Sequence, residues 1–193
     1  MNPILLDIPT EFPTDRLLLR SYRPGDGAVY YNMVQENRDH LYEFLPAHVL
    51  SLQNAEEAEV VIRKLVAEWQ LRNLFLFGMW EKATGAYIGE TYLANADWDA
   101  ACIELGYFLV KASTGKGYAT EAARAIIRFA FEHLMVSRIE LQIAAGNTAS
   151  ALVAERCGFH LEGRLRQRQH RKDGSVVDRL WYGLLHSEWN NAV

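Results

Sequence analysis

Hydrophobic and polar positions recur along this chain in patterns that mark most of its elements. Leu17, Leu18 and Leu19 stand between Arg16 and Arg20, with Pro13 before them and Pro24-Gly25-Asp26-Gly27 after, which predicts a first strand over 16–20. Val29, Met33 and Val34 share one side of a helical segment predicted over 28–44, which Pro46 interrupts. Asn54 followed by Glu56, Glu57 and Glu59 reads as an N-cap with an acidic first turn. Ala58, Ile62, Leu65, Val66 and Trp69 continue that helix at helical spacing. The aromatic run 75–80, the turn Lys82-Ala83-Thr84-Gly85 and the run 87–94 predict a hairpin whose aromatic residues form its core.

The second half continues in the same way. Residues 101–110 have strand propensity, and 118–134 place Ala119, Ala122, Ala123, Ile126, Ile127, Ala130 and Phe131 on one helical face. A strand over 138–145 is followed by a short helix over 148–156, capped by Asn147 and stopped at Cys157-Gly158-Phe159. Strands over 160–169 and 176–185 flank the turn Lys172-Asp173-Gly174-Ser175. No repeat, linker or low-complexity segment intervenes, so residues 1–193 read as one domain.

Composition narrows the class. Half the residues are hydrophobic, 23% are charged and five are proline, the balance of a folded globular chain. A net charge of -4 argues against a general nucleic-acid binder, which carries a basic excess. Residues 1–13 hold acids and prolines where a signal peptide has a basic patch and an apolar segment, and no run approaches the roughly 18 apolar residues of a membrane span. A cytoplasmic location is the default expectation. Cys102 and Cys157 lie in apolar surroundings without ligand spacing and read as reduced core residues, and the six histidines show no paired metal spacing. No metal is therefore expected.

The candidate chemistry sits between the strand over 101–110 and the helix after it. Gly115-Lys116-Gly117 feeds a helix whose first backbone N–H groups have no partner inside the helix, and such a junction is an anion site. A plain strand–helix connection is the alternative, as is a degenerate dinucleotide fingerprint, because Thr120 stands where that motif needs a third small residue.

Across nearly the whole chain the motifs resemble the GNAT superfamily of N-acetyltransferases, and within it the RimJ/RimL-type branch that includes ribosomal-protein N-terminal acetyltransferases. The likeness runs through Thr14-Asp15-Arg16-Leu17, Glu104-Leu105-Gly106-Tyr107, Gly115-Lys116-Gly117-Tyr118-Ala119-Thr120-Glu121-Ala122, Asn147-Thr148-Ala149-Ser150, Cys157-Gly158-Phe159 and Ser187-Glu188-Trp189. It implies an α+β fold: a mixed, mostly antiparallel sheet of about seven strands flanked by about four helices, whose central strands splay to admit acetyl-CoA. It also implies that the backbone of Thr114, Gly115, Lys116, Gly117, Tyr118, Ala119 and Thr120 holds the pyrophosphate. Phe108, Leu109 and Val110 then border the pantetheine arm, with Phe108 and Val110 offering backbone groups, and Asn147 and Ser150 lie near its far end.

Two positions depart from the pattern. Ala112 stands where the superfamily's loop usually has Gln or Arg, leaving a polar contact to a neighbour such as Lys111. Ala154 replaces the tyrosine that many members are thought to use as general acid, and Ser150 resembles the serine proposed for that role in the RimJ/RimL-type branch.

The reaction implied is direct attack of a primary amine on the thioester, the acceptor being a protein N-terminus or a small amine. An α-amino group with a pKa of about 7.7 to 8.0 needs modest help to lose its proton, which a carboxylate acting through water supplies. Glu104, on the strand that leads into the loop, is the leading candidate, ahead of Glu90 and Glu162; a structural ion pair is its alternative role. Ser150 as proton donor to the CoA thiolate competes with a simple helix-cap hydroxyl. Arg164, Arg166 and Arg168 recur every second residue on one strand face near His170, either to attract anions or as a solvated face, and Tyr92 is a candidate for the acceptor groove. A protein that binds acetyl-CoA without turnover is the rival reading. The sequence leaves the oligomeric state open.

Overall fold

Leucines spaced two apart at the first strand turn to one side, and that alternation organises the molecule. In the computed structural model, which describes residues 2–189, β1 (Glu11–Pro13) pairs antiparallel with β2 (Leu17–Ser21), in which Leu17, Leu19 and Ser21 are buried. Three short or medium helices follow: α1 (Gly27–Glu36), α2 (Arg38–Leu41) and α3 (Ala47–Leu50). The helix predicted over 28–44 is thus broken. Asn37 has φ -118° and ψ 15°, its amide nitrogen Nδ2 donates to the Met33 carbonyl at 3.0 Å, and its Oδ1 accepts the Lys111 amide at 3.1 Å. A side chain that competes for backbone partners ends the helix there.

Helix α4 (Ala55–Gln70) starts as its sequence predicts, with Asn54 Oδ1 accepting the Glu57 amide at 2.9 Å. Then come β3 (Phe75–Glu81), β4 (Tyr87–Asp97), β5 (Cys102–Leu109), a 3-10 turn at Lys111–Ser113 and α5 (Tyr118–His133). The chain ends with β6 (Arg138–Ala144), α6 (Thr148–Arg156), β7 (His160–His170), β8 (Val176–Leu185) and α7 (His186–Trp189). Among the described residues the sheet has eight strands in the order β1-β2-β3-β4-β5-β6-β8-β7, one more than expected because β1, a three-residue edge strand containing a proline, gives no alternating signal.

Every neighbouring pair is antiparallel except β5 and β6, which pair in parallel only from Cys102–Glu104 to Arg138–Glu140. Beyond Glu104, β5 stays with β4 while β6 stays with β8, so the two strands diverge. The gap between them positions everything that follows.

The α5 face of the sheet is a dry aromatic core. Phe129 meets Phe77 edge to face at 5.0 Å, and Trp69 meets Phe77 at 4.8 Å. Because Phe77 pairs with Thr91 and Gly78 with Glu90, Glu90 lies on the opposite face, where Tyr22 packs at 5.6 Å against Tyr30 of α1. No helix among the described residues is long and apolar enough to cross a membrane, and no group of three or more His, Cys, Asp or Glu there is placed to hold a metal ion. Cys157 is buried, which pushes its thiol up to about 11, and Cys102 is half-buried; both are free thiols.

Candidate active site

The glycine turn is held from behind and open in front. Gly115 (φ 74°) and Gly117 (φ 82°) occupy the left-handed region that glycine alone adopts without cost, and Gly117 is the N-cap of α5 with no side chain closing the first turn. Glu121, in that first turn, faces the other way. Its carboxylate accepts Thr14 Oγ1 at 2.6 Å, the Arg16 amide at 2.8 Å and Arg16 Nε at 2.6 Å. Arg16 also donates to the Lys116 carbonyl at 3.0 Å and stacks 4.5 Å over the Tyr118 ring, while the Tyr118 hydroxyl donates to Glu81. On the front, nothing lies within 4 Å of a Cβ built on Gly115.

That front opens onto a cavity of about 390 Å³. Of the predicted site residues it brings together Phe108, Leu109, Thr114, Gly115, Gly117, Ala119, Thr120, Asn147 and Ser150. It does not bring in Lys116 and Tyr118, which the Arg16 and Glu81 contacts turn to the back, nor Val110. The Val110 amide donates to the Ile88 carbonyl at 2.9 Å, so alternation directs the backbone of Phe108 and Val110 to β4 and leaves Leu109 facing the gap beside β6. Of the three residues expected along the pantetheine arm, Leu109 is thus the one whose backbone groups face the gap. Lys111, the expected stand-in at the Ala112 departure, faces a separate recess formed by residues 35–40, and the cation in the glycine-loop cavity is Arg156, at the end of α6.

A second cavity of about 410 Å³ adjoins it and holds Glu104. Both protein donors to Glu104 reach the same oxygen: Asn95 Nδ2 at 2.9 Å and Gln142 Nε2 at 3.2 Å meet Oε2. Oε1 has no hydrogen-bond partner among the described residues. Gln142 Oε1 in turn accepts Arg179 Nη1 at 3.3 Å, and Arg179 Nε donates to Gln169 at 3.2 Å, so polar side chains from β4 to β7 line the floor. Tyr92 is in this wall. Its ring lies across Gly106, where a Cβ would come within 2.1 Å of the ring carbon Cζ. The weaker carboxylates are elsewhere. Glu90 is sealed in the core, where burial raises it to about 7 against the opposing hydrogen bonds of Tyr22 and Tyr87, and Glu162 is paired with Arg138.

The arginine repeat is interrupted. Gln167 (φ 53°) sits in a register shift between Leu165 and Gln169, Arg164 pairs with Asp178 at 2.7 Å, and it is Gln169 and Arg171 that reach the cavity. The hairpin tip is clasped to the segment after α2: Lys172 Nζ donates to the Tyr42 and Leu45 carbonyls and lies 4.8 Å from the Tyr42 ring centre.

The two cavities share His40, Phe44, Tyr107, Asn147 and Ser150. Asn147 Oδ1 caps α6 by accepting the Ser150 amide at 3.1 Å, and the Ser150 carbonyl accepts the Tyr107 hydroxyl at 3.4 Å. Burial pushes that phenol up to about 12, so it is a donor. His40 Nε2 lies 3.1 Å from the Leu109 carbonyl. His40, Phe44, Gln142, Arg156 and Arg179 carry no local sequence signal; only the fold brings them here.

Comparison with known proteins identifies the family and the fold. A family model described as an acetyltransferase (GNAT) domain matches residues 16–160. YdaF of Bacillus subtilis (strain 168), whose name provisionally marks it as a ribosomal N-acetyltransferase, is 29% identical over 177 residues, covering 91% of this chain and 94% of its own. Among solved structures, the ribosomal-protein-S5-alanine acetyltransferase from Vibrio fischeri superposes with a TM-score of 0.83 at 22% identity, covering 94% of this chain and 99% of that one. The ribosomal L7/L12 α-N-protein acetyltransferase RimL in complex with coenzyme A gives 0.82 at 19% identity, covering 91% and 97%.

Proposed function

The chain belongs to the GNAT acetyltransferase family, and from that premise we propose that it acetylates the α-amino group of a peptide or protein chain, with Glu104 as base and Ser150 as proton donor. It is an acetyl-CoA-dependent N-acetyltransferase that moves an acetyl group to an amine. The proposal concerns the acceptor and the residues. The names of YdaF and of the S5-alanine and L7/L12 enzymes motivate the choice of a protein N-terminus.

The observation that carries the residue assignment is the meeting of two cavities at the β5–β6 gap, one walled by the open glycine loop and the other by Glu104. On this reading the amides of the glycine loop and Arg156 take the pyrophosphate, because a left-handed Gly117 aims uncapped N–H groups of α5 outward. The Leu109 amide pairs with the pantetheine arm in the place that β6 vacates. The thioester then sits between Tyr107 and Ser150. Glu104 Oε1, the oxygen without a protein donor, takes the ammonium proton directly or through water. As the C–S bond breaks, the Ser150 hydroxyl gives a proton to the sulfur and regains one from solvent. The whole chain acts as one domain, and the setting is cytoplasmic.

The test is an acceptor screen: acetyl-CoA with ribosomal-protein N-terminal peptides beside free amino acids, polyamines and a lysine side-chain analogue, read as thiol release and mass gain. Acetylation at a peptide α-amine with little on the small amines is expected. Preference for a small amine refutes the acceptor assignment, and acetyl-CoA binding with no thiol release on any amine refutes the proposed roles.

A further inference from the structure

Protonated primary amines bring three N–H protons to the site and the product amide keeps one. The balance is R–NH3⁺ + CH3CO–S–CoA → CH3CO–NH–R + HS–CoA + H⁺: a C–N bond forms, the C–S bond breaks and sulfur leaves with the electron pair. Two protons leave nitrogen, the first before attack and the second from the tetrahedral adduct. Glu104 lines only the second of the two cavities, where Glu43 is also in the wall, and is placed for the first. Of the groups that line both cavities, Tyr107 is a buried phenol held as a donor, and His40 is the one that offers a ring nitrogen with a basic lone pair.

The tautomer of His40 follows from its partner. A carbonyl oxygen only accepts, so the Nε2 that faces the Leu109 carbonyl at 3.1 Å carries the hydrogen. The lone pair of the neutral ring is then on Nδ1, which has no hydrogen-bond partner among the described residues. We propose that His40 is a second proton acceptor in the transfer, taking at Nδ1 the proton that the acceptor nitrogen sheds once it has bonded to the acetyl carbon, and passing it to solvent. This rests on the reading of the two cavities given above. The charged groups around the ring are Arg38, Asp39 and Glu43 on its own segment, Glu36 at the end of α1, Glu104 from β5 and Lys111 just after it, Arg156 from α6, and Arg171 and Arg179 from the β7–β8 hairpin.

His40→Gln separates the two roles of the ring, since the glutamine amide keeps a donor for the Leu109 carbonyl but takes no proton. With the best acceptor from the screen, kcat is expected to fall about 10²-fold, and the pH–rate profile is expected to change shape. Calorimetric acetyl-CoA affinity should stay within about twofold, which also reports that the variant is folded. His40→Ala, which loses the donor too, is expected to weaken acetyl-CoA as well. Wild-type kcat and pH profile in His40→Gln overturn the proposal, and so does a loss confined to acetyl-CoA affinity in both variants, which marks His40 as a tether. A wild-type protein inactive toward every amine instead overturns the reading beneath it.

Discussion

Gly117→Ala tests the phosphate loop with the least collateral change. The added Cβ would come no nearer than 3.5 Å to any non-neighbouring atom, the contact being Arg16 Nη2, so there is room for it. The penalty is conformational: an alanine at φ 82° costs about 1–2 kcal/mol, against a domain stability of about 5–15 kcal/mol. The variant therefore folds. It relieves that strain by rotating residue 117, which turns the amides at the start of α5 away from the cavity. Binding acetyl-CoA restores the left-handed turn at that same cost of about 1–2 kcal/mol. That is close to or below the roughly 1.5–3 kcal/mol of a hydrogen bond to a charged group, so acetyl-CoA weakens by about 5- to 30-fold. Titration calorimetry with two ligands isolates the effect. Acetyl-CoA should bind weaker by about fivefold or more, while S-acetylpantetheine, which lacks the pyrophosphate, should bind as it does to wild type. Unchanged acetyl-CoA affinity in the folded variant refutes the assignment, as does an equal loss for both ligands.

Three further substitutions probe the chemistry and the core. Glu104→Gln keeps an oxygen for Asn95 and Gln142 but removes the base, and is expected to lower kcat about 10²-fold with acetyl-CoA affinity intact; wild-type rates at every pH would remove Glu104 from the mechanism. Ser150→Ala retains the backbone amide that Asn147 caps, so thermal stability should hold while kcat falls about tenfold or more; an unchanged rate means the thiolate is protonated elsewhere. Glu90 supplies a pH test of stability. Its folded carboxyl holds a proton up to about pH 7, whereas the unfolded chain releases it near the ordinary value of 4.5, so its contribution falls as pH rises through that window and is level above it. The loss is on the order of 3 kcal/mol, and Glu90→Gln, neutral in both states, should abolish it when denaturant unfolding at pH 5 and pH 8 is compared with wild type. Parallel curves for the two proteins would contradict the buried-carboxyl account.

What was legible in the sequence was what local chemistry dictates. Asn54 and its acidic turn start α4, the spacing of Ala122, Ala123, Ile126 and Ile127 gives the buried stripe of α5, and two glycines mark the left-handed turn before it. The break at Asn37 was hidden because its cause is distant: the Lys111 amide that completes the side chain's bonding is brought there by the sheet. His40 was hidden for the same reason, being opposite Leu109 only once α2 lies over the end of β5. The arginine repeat misled because alternation assumes an unbulged strand, and Gln167 breaks it. The backbone roles of Phe108 and Val110 followed the motif, but which edge of β5 is free depends on the phase of its pairing with β4, set by the Val110–Ile88 bond.

The three-residue parallel pairing of β5 with β6 makes the sheet two leaves, five strands and three, joined by a seam. Below the seam the leaves share hydrogen bonds; above it, under the proposed assignment, the pantetheine arm supplies the missing strand. Under that assignment the co-substrate is also a staple across the seam: at 100 times its dissociation constant it adds about 2.7 kcal/mol to folding stability. The stability of the folded sheet then rises with the acetyl-CoA concentration around it.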